Sequence, residues 1–348
     1  MNFRSDNVAG AAPEILSALA AGAAGTASSY GSDPVTERVA KRFAELFERP
    51  VAAFPVATGT AANSLALSTL VPPYGAIYCH RESHINMDEC GAPEFFTGGA
   101  KLILLDGPHG KIEPETLASA LAAGRAGDVH SVQPAALSLT QATEAGTVYT
   151  PGEVRALAEI AHAHGLAVHM DGARFGNAVA HLGCSPAEVT WKAGVDALSF
   201  GATKNGCLAA EAVVFFDPAG AGDFAFRRKR GGHLFSKMRF LSLQLEAYLE
   251  DGLWLRLARH ANAQAEQLAR GLSAVPGAVL EHPVQANEVF ITLPEPVVVG
   301  LEEAGFQFYR WNGLTIRLVT AFDTSSADVE AMVEAARQLA VRAVPEGA

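Results

Sequence analysis

The sequence predicts an α/β protein: a large domain on a mostly parallel sheet, followed by a smaller C-terminal α/β domain. Three observations predict it. Between residues 50 and 216 short apolar runs alternate with amphipathic helical patterns, as they do where parallel strands share a sheet covered by helices. From about residue 233 the pattern turns long and helical, and further strand-like runs and a last helix follow. The chain has 348 residues, 49% hydrophobic and 18% charged, which argues against disorder and allows two domains.

The strand candidates, in order, are VAAFPV (51–56), AIYCH (76–80), KLILL (101–105), AALSLT (135–140), LAVHM (166–170), DALSF (196–200) and AVVFF (212–216). Among the helical stretches between them are PETLASALAAG (114–124) and PGEVRALAEIAHAHG (151–165). The second has a clear start: Thr150 caps it, Pro151 takes the first helical position, and Glu153 stands three residues after the cap. Gly165 then stops it before the next strand. Two long helical patterns follow, FSKMRFLSLQLEAYLEDG (235–252) and LWLRLARHANAQAEQLARGL (253–272). EVFITL (288–293), LTIRLVT (314–320) and the helical SADVEAMVEAARQLAVRA (326–343) complete the chain. The expected division is residues 1–250 for an N-terminal arm and large domain, and 251–348 for the small domain.

Composition narrows the function classes. A net charge of −11 speaks against nucleic acid or an anionic membrane as general partner. No stretch of about 20 apolar residues occurs, and MNFRSDNVAG lacks the apolar core of a signal peptide. Cys79, Cys90, Cys184 and Cys207 lie far apart with no Cys-x-x-Cys pair, which fits reduced thiols better than a disulfide framework. A soluble, cytoplasmic protein is expected. The basic cluster RRKR (227–230) stands out, and such clusters commonly form a solvated surface.

In open α/β sheets functional groups gather outside the carboxyl ends of the strands. Three loops carry suitable chemistry there. ATGTAAN (57–63) is a small-residue turn opening a helix, which offers backbone N–H groups and a positive dipole end to a phosphate. It also reads as an ordinary strand-to-helix turn, and it is no Walker motif. HMDGAR (169–174) ends a buried strand with an acid, which needs a positive or hydrogen-bonding partner. The structural alternative pairs Asp171 with Arg174 as a salt bridge. SFGATKNGC (199–207) sets Lys204 between two apolar runs, although lysine is rarely buried without a partner. The histidines at 162, 164 and 169 straddle a helix end and a strand start, with no convincing ligand set completing a metal site.

A phosphate cradle, an acid and an amine in successive strand-end loops are what pyridoxal 5'-phosphate needs: an anchor, a partner for the pyridine nitrogen, and a nucleophile for the aldehyde. The chain then resembles the low-specificity L-threonine aldolases, fold-type-I pyridoxal phosphate enzymes of the threonine aldolase and beta-eliminating lyase group. The resemblance runs over nearly the whole chain, through FRSDN, YGSDP, TGTAAN, SHINMDECGAPEFF, DGARFGNA, the lysine loop and IRLVTAFD.

That resemblance implies a Schiff-base role for Lys204, a pyridine-nitrogen partner in Asp171, and a phosphate site of Thr58, Gly59 and Thr60. It further implies that His84 stacks on the cofactor, that Arg174 lies near the phenolic oxygen, and that Arg317 and Ser5 bind the substrate carboxylate. His130 matches a second histidine near the substrate hydroxyl. Tyr30 matches a site tyrosine that can serve a neighbouring subunit, and Lys229 or Lys237 would reach a neighbour's phosphate. Two departures bear on the substrate side: Thr203-Lys204-Asn205 where many relatives read Ser-Lys-Gly, and Thr140-Gln141-Ala142-Thr143 where other branches read Glu-Asn-Thr-His.

The implied reaction is retro-aldol cleavage of L-threonine, L-allo-threonine or a related β-hydroxy-α-amino acid such as phenylserine, with His84 or His130 as base. The implied assembly is a homotetramer, a dimer of dimers with shared sites. β-Elimination or racemisation on the same apparatus, a cofactor-free lysine aldolase, and a non-catalytic binding protein are the rivals. The first two differ in product, the third in its indifference to cofactor removal, and the last commonly loses the lysine or the acid.

Overall fold

The computed structural model describes residues 1–343. Its large sheet contains β1 (Ala52–Val56), β2 (Gly75–His80), β3 (Lys101–Leu105), β4 (Gln133–Thr140), β5 (Ala167–Gly172), β6 (Ala197–Gly201) and β7 (Glu211–Phe215), in the order β1-β7-β6-β5-β4-β2-β3. Each apolar run of the sequence becomes one of these strands. The pairs from β6 outward to β3 are parallel, whereas β7 is antiparallel to both β6 and β1. The reason is local: only residues 202–210 separate β6 from β7, too few for the crossover that a parallel pair requires. Since β7 runs against both neighbours, β1 runs with β6. The carboxyl ends of β1, β5 and β6 and the amino end of β7 therefore share one edge.

Local signals set the helix ends. Thr150 Oγ1 accepts from the Glu153 N–H at 3.2 Å while Glu153 Oε2 accepts from the Thr150 N–H at 2.6 Å, closing the capping box ahead of the helix Pro151–Ala163. The helix Gly59–Leu70 is buried from Ala61 through Ser68, which explains its run of small residues. Behind the lysine loop lies an aromatic cluster in which Phe43 and Phe47 each meet another ring edge-on, Phe200 and Phe216, at 5.1 and 5.0 Å. Aromatic pairs favour this geometry.

The smaller sheet is antiparallel: β8 (Val279–Leu280), β9 (Glu288–Thr292), β10 (Tyr309–Asn312) and β11 (Thr315–Val319), in the order β10-β11-β9-β8. Its core combines Ile291, Ile316 and Leu318 with Leu268, Leu272, Val329 and Met332 from the helices Leu253–Ser273 and Ser326–Ala343. Phe3 joins that core. Its N–H donates to the Gln307 carbonyl at 2.7 Å and its carbonyl accepts from the Val319 N–H at 2.8 Å. The N-terminal arm is thus stitched to the small sheet, a contact across more than 300 residues that no local pattern encodes. The helix Leu253–Ser273 spans both cores, with Leu253 and Trp254 in one and Leu268 and Leu272 in the other. Among the described residues no helix is long and apolar enough to cross a membrane.

Candidate active site

At the shared edge, Asn7, Thr58, Gly59, Thr60, Asn63, His84, Asp171, Lys204 and Glu211 line a cavity of about 360 Å³. The loop after β1 brings Thr58, Gly59 and Thr60. Thr58 caps the helix Gly59–Leu70 by accepting from the Ala61 N–H at 3.2 Å, leaving first-turn N–H groups directed outward. A side-chain carbon added at Gly59 would meet nothing within 4 Å, so the space before this helix end is open.

β5 brings Asp171. It is buried, its Oδ1 accepts from the Ala173 N–H at 3.0 Å, and its Oδ2 accepts from Asn63 Nδ2 at 2.8 Å. Arg174 is not its partner. The Arg174 guanidinium is buried and donates instead to Asp6, Nε to Oδ2 at 2.8 Å and Nη2 to Oδ1 at 3.0 Å, with Glu288 Oε2 at 3.2 Å from Nη1. These carboxylates hold Arg174 well above the usual arginine range against the opposing effect of burial. Ser5 stands beside this group, its hydroxyl 3.4 Å from Asp6 Oδ1.

Lys204 sits in a single 3₁₀ turn after β6, Thr203–Asn205, ended by Gly206 at φ +110°. A side-chain carbon at Gly206 would meet Leu257 at 2.9 Å and Ala12 at 3.2 Å, so backbone conformation and crowding both demand glycine. Asn205, one of the two departures noted above, has a structural explanation. Its buried Nδ2 donates to the Tyr248 hydroxyl at 2.6 Å and the Trp254 carbonyl at 2.8 Å, tying the lysine turn to the helices behind it. Gln141, from the other departure, donates to the Tyr149 carbonyl at 2.8 Å and accepts from its N–H at 3.0 Å. Among the described residues the Lys204 amine makes no hydrogen bond or ion pair, although the residue is half-buried.

His84 reaches the cavity from a short helix after β2. Its Nδ1 lies 2.9 Å from Glu89 Oε1, and Glu89 is buried. That hydrogen bond raises the imidazole above its ordinary range, with burial opposing it and the Asp171 charge adding to it. Asn63 Nδ2 donates to Glu89 Oε1 as well as to Asp171, each at 2.8 Å, so one amide links the base candidate to the strand-end acid. Ligand atoms of His84, Glu89 and Asp171 lie within 4.8 Å of one another, as a cation site would need. The Asn63 NH₂ points at both carboxylates and occupies the place a cation would take.

The chain does not bring His130 here. It is exposed, in the loop before β4, while Asp171 lies level with Thr140 at the far end of that strand. Eight residues of strand separate the two edges, about 26 Å at ~3.3 Å per residue. His130 therefore cannot act as base in the site of its own chain. Tyr30, Lys229 and Lys237 are exposed, with the Lys229 amine 4.5 Å over the Tyr30 ring, and none lines the cavity. The RRKR cluster is not uniformly solvated: Arg228 is buried, Nη1 donating to the Pro55 carbonyl at 3.3 Å, and burial pushes it down to about 10. Arg317 has a partner the sequence did not reveal, Glu288, at 3.1 Å from Nε and 2.6 Å from Nη2. His162 bonds to Asp196 at 3.0 Å. His169 is fully buried between Ser138 and Ser199, where burial pushes it down to about 4.

Five further polar residues that the sequence reading did not single out lie in or next to the cavity. Glu211 accepts from the Ala202 N–H at 2.7 Å, and burial pushes it up to about 7 with the Lys204 charge opposing. Glu144, beyond β4, is likewise raised by burial and lowered by the Lys204 charge. His233 Nδ1 accepts from the Ala57 N–H of the phosphate-type loop at 3.3 Å, and burial lowers it toward the neutral form that can accept. Asn63 and Glu89 complete the set. Asn63 closes the TGTAAN run and stands one helical turn from Thr60, the signals that could have found it.

Pyridoxal phosphate fits these residues. An unpaired amine, an anchored buried carboxylate and an open helix N-terminus face one cavity, and the buried Asn63 Oδ1 has no hydrogen-bond partner among the described residues. Fold and site together define the class, a pyridoxal phosphate-dependent enzyme. The chain belongs to the beta-eliminating lyase family, whose model matches residues 2–295. It is 45% identical over 338 residues to a low specificity L-threonine aldolase of Pseudomonas aeruginosa, covering 97% of this chain and 96% of that one. A solved Leishmania major threonine aldolase superposes with a TM-score of 0.91 at 29% identity, over 97% of this chain and 99% of that chain. A Sphingomonas wittichii serine palmitoyltransferase shares the fold alone, with a TM-score of 0.72 at 16% identity over 98% of this chain and 87% of that one.

Proposed function

We propose that this chain cleaves L-threonine, L-allo-threonine and related β-hydroxy-α-amino acids such as phenylserine to glycine and an aldehyde. The observation that carries the reading is Lys204, an amine without a partner, in one cavity with the anchored Asp171 carboxylate and an open helix N-terminus. The names of the similar proteins support it. Pyridoxal phosphate supplies the electron sink that lets a bond at the substrate α-carbon break.

This chain's residues do the rest. Thr58, Gly59 and Thr60 would hold the phosphate, and Asp171, fixed by Asn63 and the Ala173 N–H, would keep a proton on the ring nitrogen. Arg317 would bind the substrate carboxylate, with Ser5 near it and Arg174 contributing charge. Glu89 takes His84 Nδ1, so Nε2 is the nitrogen left to receive the β-hydroxyl proton, directly or through water. Loss of that proton accompanies cleavage of the Cα–Cβ bond. The aldehyde leaves, and a proton returned to Cα completes glycine.

The deciding assay offers L-threonine, L-allo-threonine, phenylserine and serine to the loaded enzyme and measures aldehyde against pyruvate. Aldehyde with equimolar glycine is expected. Pyruvate as the main product would replace this reading with β-elimination.

A pH profile tests His84. The base works as neutral imidazole, and its bond to Glu89 raises its proton affinity. The acid limb of kcat/KM should therefore lie above the usual histidine range, with activity falling as pH drops through it. In Glu89→Gln the limb should move to lower pH, because the carboxylate that stabilises the imidazolium is gone. An unmoved limb would remove His84 from the role.

The proposal extends to assembly and place. Tyr30, Lys229 and Lys237, exposed and absent from their own cavity, would serve neighbouring copies in a cytoplasmic homotetramer, a dimer of dimers. Residues 1–250 and 251–348 would act as its two domains. A fully active monomer by light scattering at assay dilution would refute the shared sites.

A further inference from the structure

Asp6, Arg174, Glu288 and Arg317 form a charge network joining the N-terminal arm, the loop after β5 and the small sheet. β9 and β11 pair Glu288 with Val319 and Phe290 with Arg317. Glu288 and Arg317 therefore lie diagonally on one face of the sheet, within reach of long side chains. The Glu288 side chain has no exposure and that of Arg317 has 13%.

A guanidinium presents two donor edges, one formed by Nε and Nη2, the other by Nη1 and Nη2. Arg174 meets a carboxylate on both: Asp6 takes the Nε edge in hydrogen bonds of 2.8 and 3.0 Å, and Glu288 Oε2 stands 3.2 Å from Nη1 as an ion pair without a hydrogen bond. Arg317 is engaged on one. Glu288 Oε1 takes its Nε edge at 3.1 and 2.6 Å, and among the described residues Nη1 of Arg317 has no hydrogen-bond partner. The Trp311 ring backs the same guanidinium, its centroid 5.7 Å from Cζ. Of the two arginines, only Arg317 keeps an edge for a second carboxylate.

We propose that Glu288 is a positioning residue for Arg317, holding the guanidinium by its Nε edge so that the Nη1 edge is presented to the substrate carboxylate. Glu288 itself does not touch substrate. Its reach, more than its charge, is what matters: an acceptor at this distance fixes the plane of the guanidinium, and an edge-on carboxylate pair depends on that plane. The inference rests on the reading of Arg317 as the carboxylate-binding residue.

Two variants of the pyridoxal phosphate-loaded enzyme separate reach from charge. Glu288→Gln keeps an acceptor at the same length for Arg317, loses the charge, and sets its NH₂ toward Arg174 Nη1 where Oε2 stood. Glu288→Asp keeps the charge and withdraws the acceptor by one methylene. Binding is followed by the cofactor absorbance on titration with glycine and, as an amine without a carboxylate, methylamine.

The expected result is that Glu288→Asp weakens glycine about tenfold, the loss of roughly one charge-assisted hydrogen bond. Methylamine should stay within about twofold, and Glu288→Gln should stay within about threefold for both. Glycine binding unchanged in Glu288→Asp, or weakened in parallel with methylamine, would overturn the proposal. So would the reverse order, with Gln impaired and Asp normal, which would make the role one of charge balance. Arg317→Leu serves as the separate control. If it leaves glycine affinity intact, the carboxylate reading of Arg317 fails, whatever Glu288 does.

Discussion

Replacing Lys204 by alanine should lower kcat/KM for L-threonine by about a thousandfold or more, because the group lost is the nucleophile of a residue set that acts as a unit. Arginine should not rescue it: it restores the charge but cannot form the imine with an aldehyde. The same change should not destabilise the fold. With no cofactor bound, a half-buried amine with no ion pair is a cost to the folded chain, so the cofactor-free alanine variant should melt at or above the cofactor-free wild type. Borohydride treatment followed by peptide mapping should tag residue 204 in the wild type and nothing in the variant. Sustained aldehyde release by Lys204→Ala, or a tag elsewhere in the chain, would remove the chemical basis of the proposed function.

Asp171→Asn should reduce kcat by about 100- to 1000-fold, the usual scale for losing one preorganised electrostatic partner. The geometry makes this substitution unusually harsh. Both carboxylate oxygens of Asp171 are acceptors, one for the Ala173 N–H and one for Asn63 Nδ2. An asparagine offers a single acceptor, so its NH₂ must face one of those two donors. The effect should appear in two measurements: weaker retention of pyridoxal phosphate on dialysis, and a fall in kcat with cofactor in excess. A variant that keeps more than a tenth of wild-type kcat when saturated with cofactor would show that the ring nitrogen does not depend on this acid.

Much of the fold was legible because its signals are local. Seven apolar runs became seven strands, and the Thr150 capping box formed as its four-residue pattern requires. The antiparallel turn of β7 was not read, although the short segment between β6 and β7 carries its cause. Parts of the site were legible for the same reason: strand ends can be located once strands can, and Thr58, Gly59, Thr60, Asp171 and Lys204 all lie at or just past such ends. His84 entered through resemblance, and its partner Glu89 did not, since nothing in a lone acid five residues away announces a hydrogen bond.

The misplaced residue is instructive. A histidine can be matched by sequence to a role near the substrate, yet His130 stands at the opposite edge of the sheet from Lys204, which only the direction of β4 makes plain. Arg317 taught the complementary lesson. No sequence neighbour marks a partner for it in the apolar run TIRLV, yet a diagonal neighbour on the next strand already holds half of its guanidinium.

By itself, then, the sequence determined the α/β class, the strands, the helix caps and the three loops that carry an anchor, an acid and an amine. Those depend on residues within a few positions of one another, where spacing and propensity suffice. Only the tertiary structure decided which polar groups meet: Asp6 with Arg174 across 168 residues, and Asp6 with Asn287 across 281. Such pairs are set by how strands stack and where an arm lies down, and the balance of charge around Lys204 comes from those contacts.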